Sequence, residues 1–240
     1  MRHGPLRHAL ARWVDPADAF VTLFAGQSDV AWLDCGPEAA SGRSYIAGAA
    51  RVVTSESLGR STPGPSAPTP SILDFLRDEL AAGRVVATDG ERFGPGWFGW
   101  LGYENRHETM GDPSRTAAES AFLFADRLLE FDHETRVVTL VALGESWAGE
   151  FEDWRRDTVS ALEHPDPGPA PDGAPGVSRT ALWRDSDADY LTMIGDCKAA
   201  IARGDAYLLC LTTSVSIETS ADPLQTYLAL RRSSPSHHGG

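Results

Sequence analysis

The 240-residue chain has no apolar run near the roughly 20 residues that a membrane-spanning helix needs. Lysine occurs once, at Lys198, and 21 basic side chains face 34 acidic ones, so the formal net charge is −13. Binding to nucleic-acid phosphates needs a basic patch, and none occurs beyond the first dozen residues. We therefore expect neither a membrane nor a nucleic acid as a partner.

Cysteine is also scarce, and its spacing excludes two classes of protein. Cys35, Cys197 and Cys210 are odd in number and far apart, so they form neither a disulfide framework nor a zinc knuckle. The N-terminal residues lack the apolar core and the cleavage site of a signal peptide. We expect reduced thiols in a cytoplasmic protein.

Proline-rich segments divide the chain. Residues 164–178 contain five prolines, which favour an extended linker, and residues 59–71 favour an exposed loop. We predict a domain over 1–163, a linker over 164–178 and the first elements of a second domain over 179–240. The last segment lacks enough elements to close a sheet, so we expect it to be truncated. Alternatively, it packs on the first domain as an extra layer.

Hydrophobic periodicity predicts an α+β fold, mainly an antiparallel sheet packed with helices. Helices are expected over 72–82, 151–162, 187–203 and from 223 to about 232, with caps at Ser71, Gly83, Gly204 and Asp222. Strands are expected over 30–33, 44–53 and 206–217. A hairpin is expected between 121–124 and 136–143, with its turn at 132–135.

Two motifs stand out, and each has a structural interpretation of its own. Residues 94–104 (GPGWFGWLGYE) alternate glycine with aromatic residues, which predicts a tight strand in a crowded core. Residues 204–213 (GDAYLLCLTT) predict a turn from a helix into a strand, a common position for site residues. Neither motif is a phosphate-binding loop, because neither has that loop's glycine spacing.

In this order and around a proline-rich linker, the two motifs resemble the chorismate-binding enzymes. This family includes the large subunits of anthranilate synthase and aminodeoxychorismate synthase. Residues 30–36 with 41–46 are similar to its N-terminal strand pair, and 233–240 (SSPSHHGG) to its Asn-Pro-Ser-Pro-type loop. The residues at 206–213 and in the C-terminal loop are more similar to the aminodeoxychorismate synthase branch than to the anthranilate synthase branch.

The resemblance implies a substrate-facing strand that carries Leu208 and Thr212. The family has glutamine at the position of Leu208, and isochorismate-forming relatives have a lysine that activates water. Leucine neither donates nor accepts a hydrogen bond, so it does neither task. The magnesium sites of the full-length family lie in segments after residue 240. We therefore expect no Mg²⁺ site, no other metal site and no catalytic residue in this chain alone.

The resemblance also implies a tryptophan-type pocket. The matching positions are Cys35, Ser41, Gly42, Arg43, Ser44, His237, His238 and Gly239. Anthranilate synthases use this pocket for feedback, and aminodeoxychorismate synthases can hold tryptophan there structurally. The family usually has serine at the position of Cys35. Without the resemblance, Cys35 is a small buried thiol and the two histidines belong to a mobile end.

The implied reaction is amination of chorismate to 4-amino-4-deoxychorismate, a step of p-aminobenzoate and folate synthesis. It uses ammonia from a glutamine amidotransferase subunit, and we expect this chain alone to be inactive. The first alternative is a fragment of anthranilate synthase component I. The second is a non-catalytic module that binds tryptophan or docks a glutaminase. The third is a domain of unknown role whose motif matches are coincidental.

Overall fold

The structure, a computed structural model, describes residues 4–60, 71–83, 93–105, 120–165 and 177–240. It divides into two compact units, residues 1–170 with 231–240 and residues 171–230. Antiparallel sheets combine with helices, so the predicted α+β class is confirmed. Residues 61–70 of the expected loop and 166–176 of the expected linker lie outside the described residues. The assignment of two domains with the boundaries 1–163 and 179–240 stays a prediction.

The elements are numbered along the chain. The strands are β1 (Leu6–Ala9), β2 (Val30–Leu33), β3 (Arg43–Gly48), β4 (Arg51–Thr54), β5 (Gly96–Leu101), β6 (Ser120–Ala125), β7 (Arg127–Asp132), β8 (Val137–Ala142), β9 (Val177–Trp183) and β10 (Val215–Thr219). The helices are α1 (Pro16–Phe24), α2 (Ser55–Arg60), α3 (Ile72–Ala82), α4 (Glu150–Glu163), α5 (Asp187–Arg203) and α6 (Pro223–Ser233), with a 3₁₀ turn over Tyr103–Asn105. Among these described helices, none is both long and apolar enough to cross a bilayer.

Two antiparallel sheets form the first unit. One has the strand order β1-β8-β7-β3-β2 and the other the order β4-β6-β5. Their facing side chains form a shared apolar core of Ala47, Phe98, Ala125, Leu128 and Val141. The chain passes from one sheet to the other at Asp126, between β6 and β7, so neighbouring segments belong to different sheets. Strands that change sheet in this way make the corners of a β-sandwich.

The other face of the five-stranded sheet is also buried. Successive side chains of a strand point to opposite faces, so Leu128 joins the shared core while Leu129 and Phe131 point away from it. On that second side Phe20 of α1 stacks on Trp32 of β2, with ring centroids 5.1 Å apart. Helices α1 and α4 contact each other. The five-stranded sheet therefore has a second buried face, which is covered by helix α1. Polar side chains on this face need hydrogen-bond or ion-pair partners.

Helix boundaries follow the predicted caps. The Ser71 hydroxyl accepts the N–H groups of Leu73 and Asp74 at the start of α3. The Gly204 N–H bonds to carbonyls of the last turn of α5, and the Asp222 carboxylate accepts the N–H of Gln225 in α6. Helix α4 spans 150–163, close to the predicted 151–162. The helix predictions are confirmed to within a residue or two.

Two strand predictions and one loop prediction in the first unit need correction. Residues 44–53 form two strands, β3 and β4, that belong to different sheets, because the chain turns a sandwich corner between them. The hairpin partner of β8 is β7, while β6 pairs with β4 and β5. Gly59 and Arg60, expected in a loop, belong to α2.

The glycine-aromatic motif forms an edge strand and not a strand surrounded by core. In β5 only Phe98 is buried, while 51% of Trp100 remains exposed. The close approach that the glycines predicted is present at Gly99, where an added Cβ would lie 2.2 Å from the Ala121 carbonyl oxygen of β6. The motif thus serves strand pairing at the edge of the three-stranded sheet.

The second unit is a two-stranded sheet with helices. Strands β9 and β10 pair antiparallel, with an irregularity between Ile217 and Thr219. No residue of α5 is buried, and large apolar side chains are exposed at Trp183, Leu191 and Ile217. The predicted strand over 206–217 is wrong in its first part, since regular pairing begins at Val215. The reason is that its partner β9 ends at Trp183, opposite Val215.

Candidate functional site

A cluster of buried polar side chains lies in the first unit where β2 and β3 meet the end of β7. Its members are Asp34, Ser44, His133 and Arg231, none of which exposes more than 8% of its surface. Ser44 is on the same face of β3 as Ile46, which is the helix-associated face of the sheet. Buried polar groups are costly unless they are paired, so the contacts of each member matter.

An ion pair joins two distant parts of the chain in this cluster. The Arg231 Nε donates to Asp34 Oδ2 at 2.6 Å, and its Nη2 lies 3.3 Å from Oδ1. The same Nη2 donates to the Gly36 carbonyl oxygen at 3.1 Å. The guanidinium lies over the Trp32 ring, with Cζ 5.2 Å from its centroid. These contacts hold Arg231, near the end of α6, against the residues that follow β2.

The Ser44 hydroxyl connects three elements. It accepts the Cys35 backbone N–H at 3.0 Å, lies 2.8 Å from His133 Nε2 and lies 3.4 Å from Asp34 Oδ1. The backbone N–H of His133 donates to the Gly42 carbonyl oxygen at 3.1 Å, which fixes the turn after β7 beside β3. Ser44 therefore links the end of β2 to the β7–β8 turn.

Burial lowers the pKa of His133 below the ordinary 6.5. Asp34 and Asp15 oppose this effect, while the positive charges of Arg136 and Arg231 reinforce it. The ring also packs edge-on against Trp13, with centroids 5.4 Å apart. His133 is therefore held as a neutral, buried imidazole near neutral pH.

The C-terminal segment completes this part of the unit. Asp34 and Gly239 exchange two backbone hydrogen bonds of 2.9 Å, an antiparallel bridge. Gly36 has φ = +97°, and an added Cβ would lie 3.1 Å from the Ser236 carbonyl oxygen. Glycine at 36 thus permits both the turn and the approach of the C-terminal segment.

The structure brings together four of the eight positions expected to form a tryptophan-type pocket: Cys35, Arg43, Ser44 and Gly239. Cys35, half-buried, contacts Ser44 through its N–H and the Arg43 carbonyl oxygen through its thiol. Gly239 is bridged to the residue before Cys35. Ser41, Gly42, Arg43, His237 and His238 are exposed. Tryptophan binding by these residues stays a prediction.

Leu208 and Thr212 lie outside any strand, so the expectation that they share a strand face is wrong. Both precede β10, and no regular strand pairs with their segment within the described residues. Leu208 exposes 63% of its surface and its neighbour Tyr207 96%. The Thr212 carbonyl oxygen accepts a hydrogen bond from Arg184 Nη2 at 2.6 Å. Their role toward a substrate is untested and stays a prediction.

Within the described ranges, no three His, Cys, Asp or Glu side chains are grouped in a way that could hold a metal ion. The carboxylates of Asp34, within the cluster, and of Asp15 both lie near Arg231, at 2.6 and 4.0 Å. Because Arg231 already neutralises Asp34, these residues do not fit the Mg²⁺ of the full-length family.

Sequence reasoning missed Asp34, His133 and Arg231. Asp34 directly follows a predicted strand, His133 lies in a predicted hairpin turn and Arg231 lies in the last turn of a predicted helix, where a basic residue is ordinary. One signal was available, since an acidic residue directly after an apolar strand and beside a predicted pocket position suggests a buried partner. Its partner was 197 residues away and could not be identified.

Comparisons with known proteins identify relatives of the chain. The profile of the chorismate binding enzyme family matches residues 29–239. Aminodeoxychorismate synthase of Streptomyces griseus is 32% identical over 93% of this chain and 33% of its own length. Anthranilate synthase component 1 of Streptomyces coelicolor is 31% identical over 68% of this chain and 35% of its own length. The chain therefore spans about a third of the length of these relatives.

A solved structure shows the same fold. Anthranilate synthase component I from Streptococcus pneumoniae superposes with a TM-score of 0.53 at 19% identity, covering 88% of this chain and 46% of that one. The family profile matches far more than half of the sequence and includes β2, β3, the β7–β8 turn and Gly239. The resemblance seen in the sequence is therefore confirmed, and the chain belongs to the chorismate-binding enzyme family.

Proposed function

We propose that this chain is part of an aminodeoxychorismate synthase of the component I type. Such an enzyme replaces the 4-hydroxyl group of chorismate with an amino group, using ammonia from a glutamine amidotransferase subunit. The observation that carries the proposal is the match to the Streptomyces griseus aminodeoxychorismate synthase, which extends over 93% of this chain. The match to anthranilate synthase component 1 of Streptomyces coelicolor extends over 68%.

The isolated chain is inactive in this proposal. Leu208 stands where the family has glutamine, and an aliphatic side chain forms no hydrogen bond to a polar substrate or to ammonia. The described residues hold no metal-binding cluster. Incubation with chorismate, Mg²⁺ and ammonium should therefore give no product in a single turnover, and clear product would contradict this part of the proposal.

A chimera tests the assignment itself. This chain replaces the matching region of the Streptomyces griseus aminodeoxychorismate synthase, with either Leu208 or Leu208→Gln. We expect Leu208→Gln to form 4-amino-4-deoxychorismate at least about tenfold faster than the Leu208 chimera, because a polar group returns to the substrate region. Leu209→Gln, on the next exposed residue, is the matched control and should give no gain. Formation of anthranilate would favour the anthranilate synthase alternative, and no gain from Leu208→Gln would refute the proposal.

A second candidate function is the binding of tryptophan in the first unit. It is favoured by the contacts that bring Cys35, Ser44 and Gly239 together beside Asp34. Isothermal titration with L-tryptophan should then show saturable binding that is weakened when His237 and His238 are both replaced by alanine. His164→Ala, an exposed histidine outside this region, is the control. Absence of heat in the unsubstituted chain would exclude this function.

A further inference from the structure

The hydrogen bonds around Ser44 have only one fully satisfied arrangement. A hydroxyl has one proton to donate and two lone pairs to accept with. The Cys35 N–H uses one lone pair, which leaves His133 Nε2 and Asp34 Oδ1 as the other two contacts. Asp34 is an acceptor, so Ser44 donates to it only if the second lone pair accepts from His133. All three contacts are made when His133 carries its proton on Nε2.

We propose that His133, Ser44, Asp34 and Arg231 form a proton-linked latch that holds the C-terminal segment 231–240 against the end of β2. Neutral His133 donates to Ser44, and Ser44 donates to Asp34. Asp34, oriented in this way, binds the guanidinium of Arg231. Asp34 also forms the backbone bridge to Gly239, so both ends of the segment meet at one residue.

Protonation of His133 opposes the latch. It places a second cation beside Asp34, whose charge is already compensated by Arg231 at 2.6 Å. The charges that face the ring are Asp34 after β2, Asp15 before α1, Arg231 in α6 and Arg136 in the β7–β8 turn. The two carboxylates attract an imidazolium and the two guanidinium groups repel it, while burial disfavours any new charge. Opening removes Arg231, which repels an imidazolium, and leaves Asp34 without its cation, so the open state binds the proton more tightly than the latched state.

The direction of the pH effect follows from linkage. Opening takes Arg231 away from His133, so the pKa of His133 is higher in the open state than in the latched state and the open state takes up the proton first as the pH falls. The latch is fully stable above the pKa that His133 has in the open state, and it weakens as the pH falls from there to the lower pKa of the latched state. Below that lowered pKa no further weakening comes from this residue. Because His237 and His238 lie in the latched segment, opening would also remove them from the tryptophan-type pocket, a consequence that rests on the proposed function.

Amide hydrogen exchange of the whole chain, without any ligand, tests the latch. Protection of the Asp34 and Gly239 amides, corrected for the pH dependence of intrinsic exchange, is measured at about pH 8 and about pH 5. We expect protection of both amides to be clearly lower at about pH 5 than at about pH 8. Core amides of α4 should keep their protection, because the latch opens without global unfolding. Equal protection of Asp34 and Gly239 at both pH values would overturn the proposal.

Two substitutions separate the latch from a general effect of pH. His133→Gln keeps a donor without a titrating ring, so the loss of protection at low pH should disappear. His164→Gln removes an exposed histidine and should leave that loss unchanged. Persistence of the pH effect in His133→Gln would refute the role of His133.

A third measurement needs no substitution and stays informative if His133→Gln does not fold. Nitrogen NMR of the unsubstituted chain labelled at histidine reports which ring nitrogen carries the proton. We expect His133 to be the Nε2–H tautomer, with a titration midpoint below 6.5. An Nδ1–H tautomer would contradict the hydrogen-bond order on which the latch depends. None of these readouts requires chorismate or tryptophan, so failure of the latch and failure of the proposed function are separately visible.

Discussion

Replacement of Arg231 by methionine should strongly destabilise the first unit. The side chains of Arg231 and Asp34 expose only 6% and 1% of their surface, so the substitution leaves a carboxylate buried without its cation. Removing one partner of such a pair costs about 3–5 kcal/mol, whereas the loss of an exposed ion pair costs at most about 1 kcal/mol. Methionine keeps much of the apolar stem, so the effect reports the charge and not a cavity. The Gly36 carbonyl oxygen also loses its donor, which adds to the effect.

Urea unfolding followed by tryptophan fluorescence measures this difference, since Trp32 packs under the guanidinium. Arg232→Met, at the exposed neighbouring position, is the control and should change the free energy of unfolding little. The double variant Asp34→Asn with Arg231→Met removes both charges and should regain about 2 kcal/mol or more. The reasoning is refuted if Arg231→Met behaves like Arg232→Met, or if the double variant is no more stable than Arg231→Met alone.

Three further predictions concern other parts of the fold. Gly99→Ala should destabilise by about 3 kcal/mol or more in urea unfolding, because its Cβ would lie 2.2 Å from a carbonyl oxygen of β6, whereas Gly94→Ala meets nothing within 4 Å and should be nearly neutral. Gly195→Ala, in an open position inside α5, should increase thermal stability by about 1 kcal/mol; a loss would show that the position is crowded. Although burial raises the pKa of Asp132, hydrogen bonds led by that from Thr135 outweigh it and hold the pKa below 3.8. Its stabilising effect should therefore be present above about pH 4 and lost as the pH falls through the lowered pKa, and Asp132→Asn should show a shallower loss of stability in acid.

Helix ends were predictable because their determinants are local. The Ser71 cap contacts residues two and three positions ahead, and the Gly204 cap contacts carbonyls in the preceding turn. Such signals lie within a few letters of the sequence and need no knowledge of the tertiary structure. They were correct in α3, α5 and α6.

Strand pairing was less predictable because burial in this sandwich depends on distant partners. Strand β7 carries Glu130 at a buried position, which makes its sequence less like a core strand. Arg7 of β1 compensates this charge with a contact of 2.6 Å across 123 residues. The local sequence pattern therefore did not predict β7, and β8 was paired with β6 instead. The turn at 132–135 was nevertheless placed correctly. The error follows from a buried charge whose partner is far along the chain.

The candidate site was even less predictable, because its contacts join residues still farther apart in the sequence. Ser44 and His133 are 89 residues apart, and Asp34 and Arg231 are 197 apart. Each residue has an ordinary local interpretation: the end of a strand, a strand, a hairpin turn or the end of a helix. The resemblance to a family named Ser44 and Gly239 as neighbours of one pocket, but it did not name the charged pair that holds them there. Asp34 and Arg231 come together at the end of β2 only in the folded protein. There they form a buried ion pair, which neither local sequence predicts.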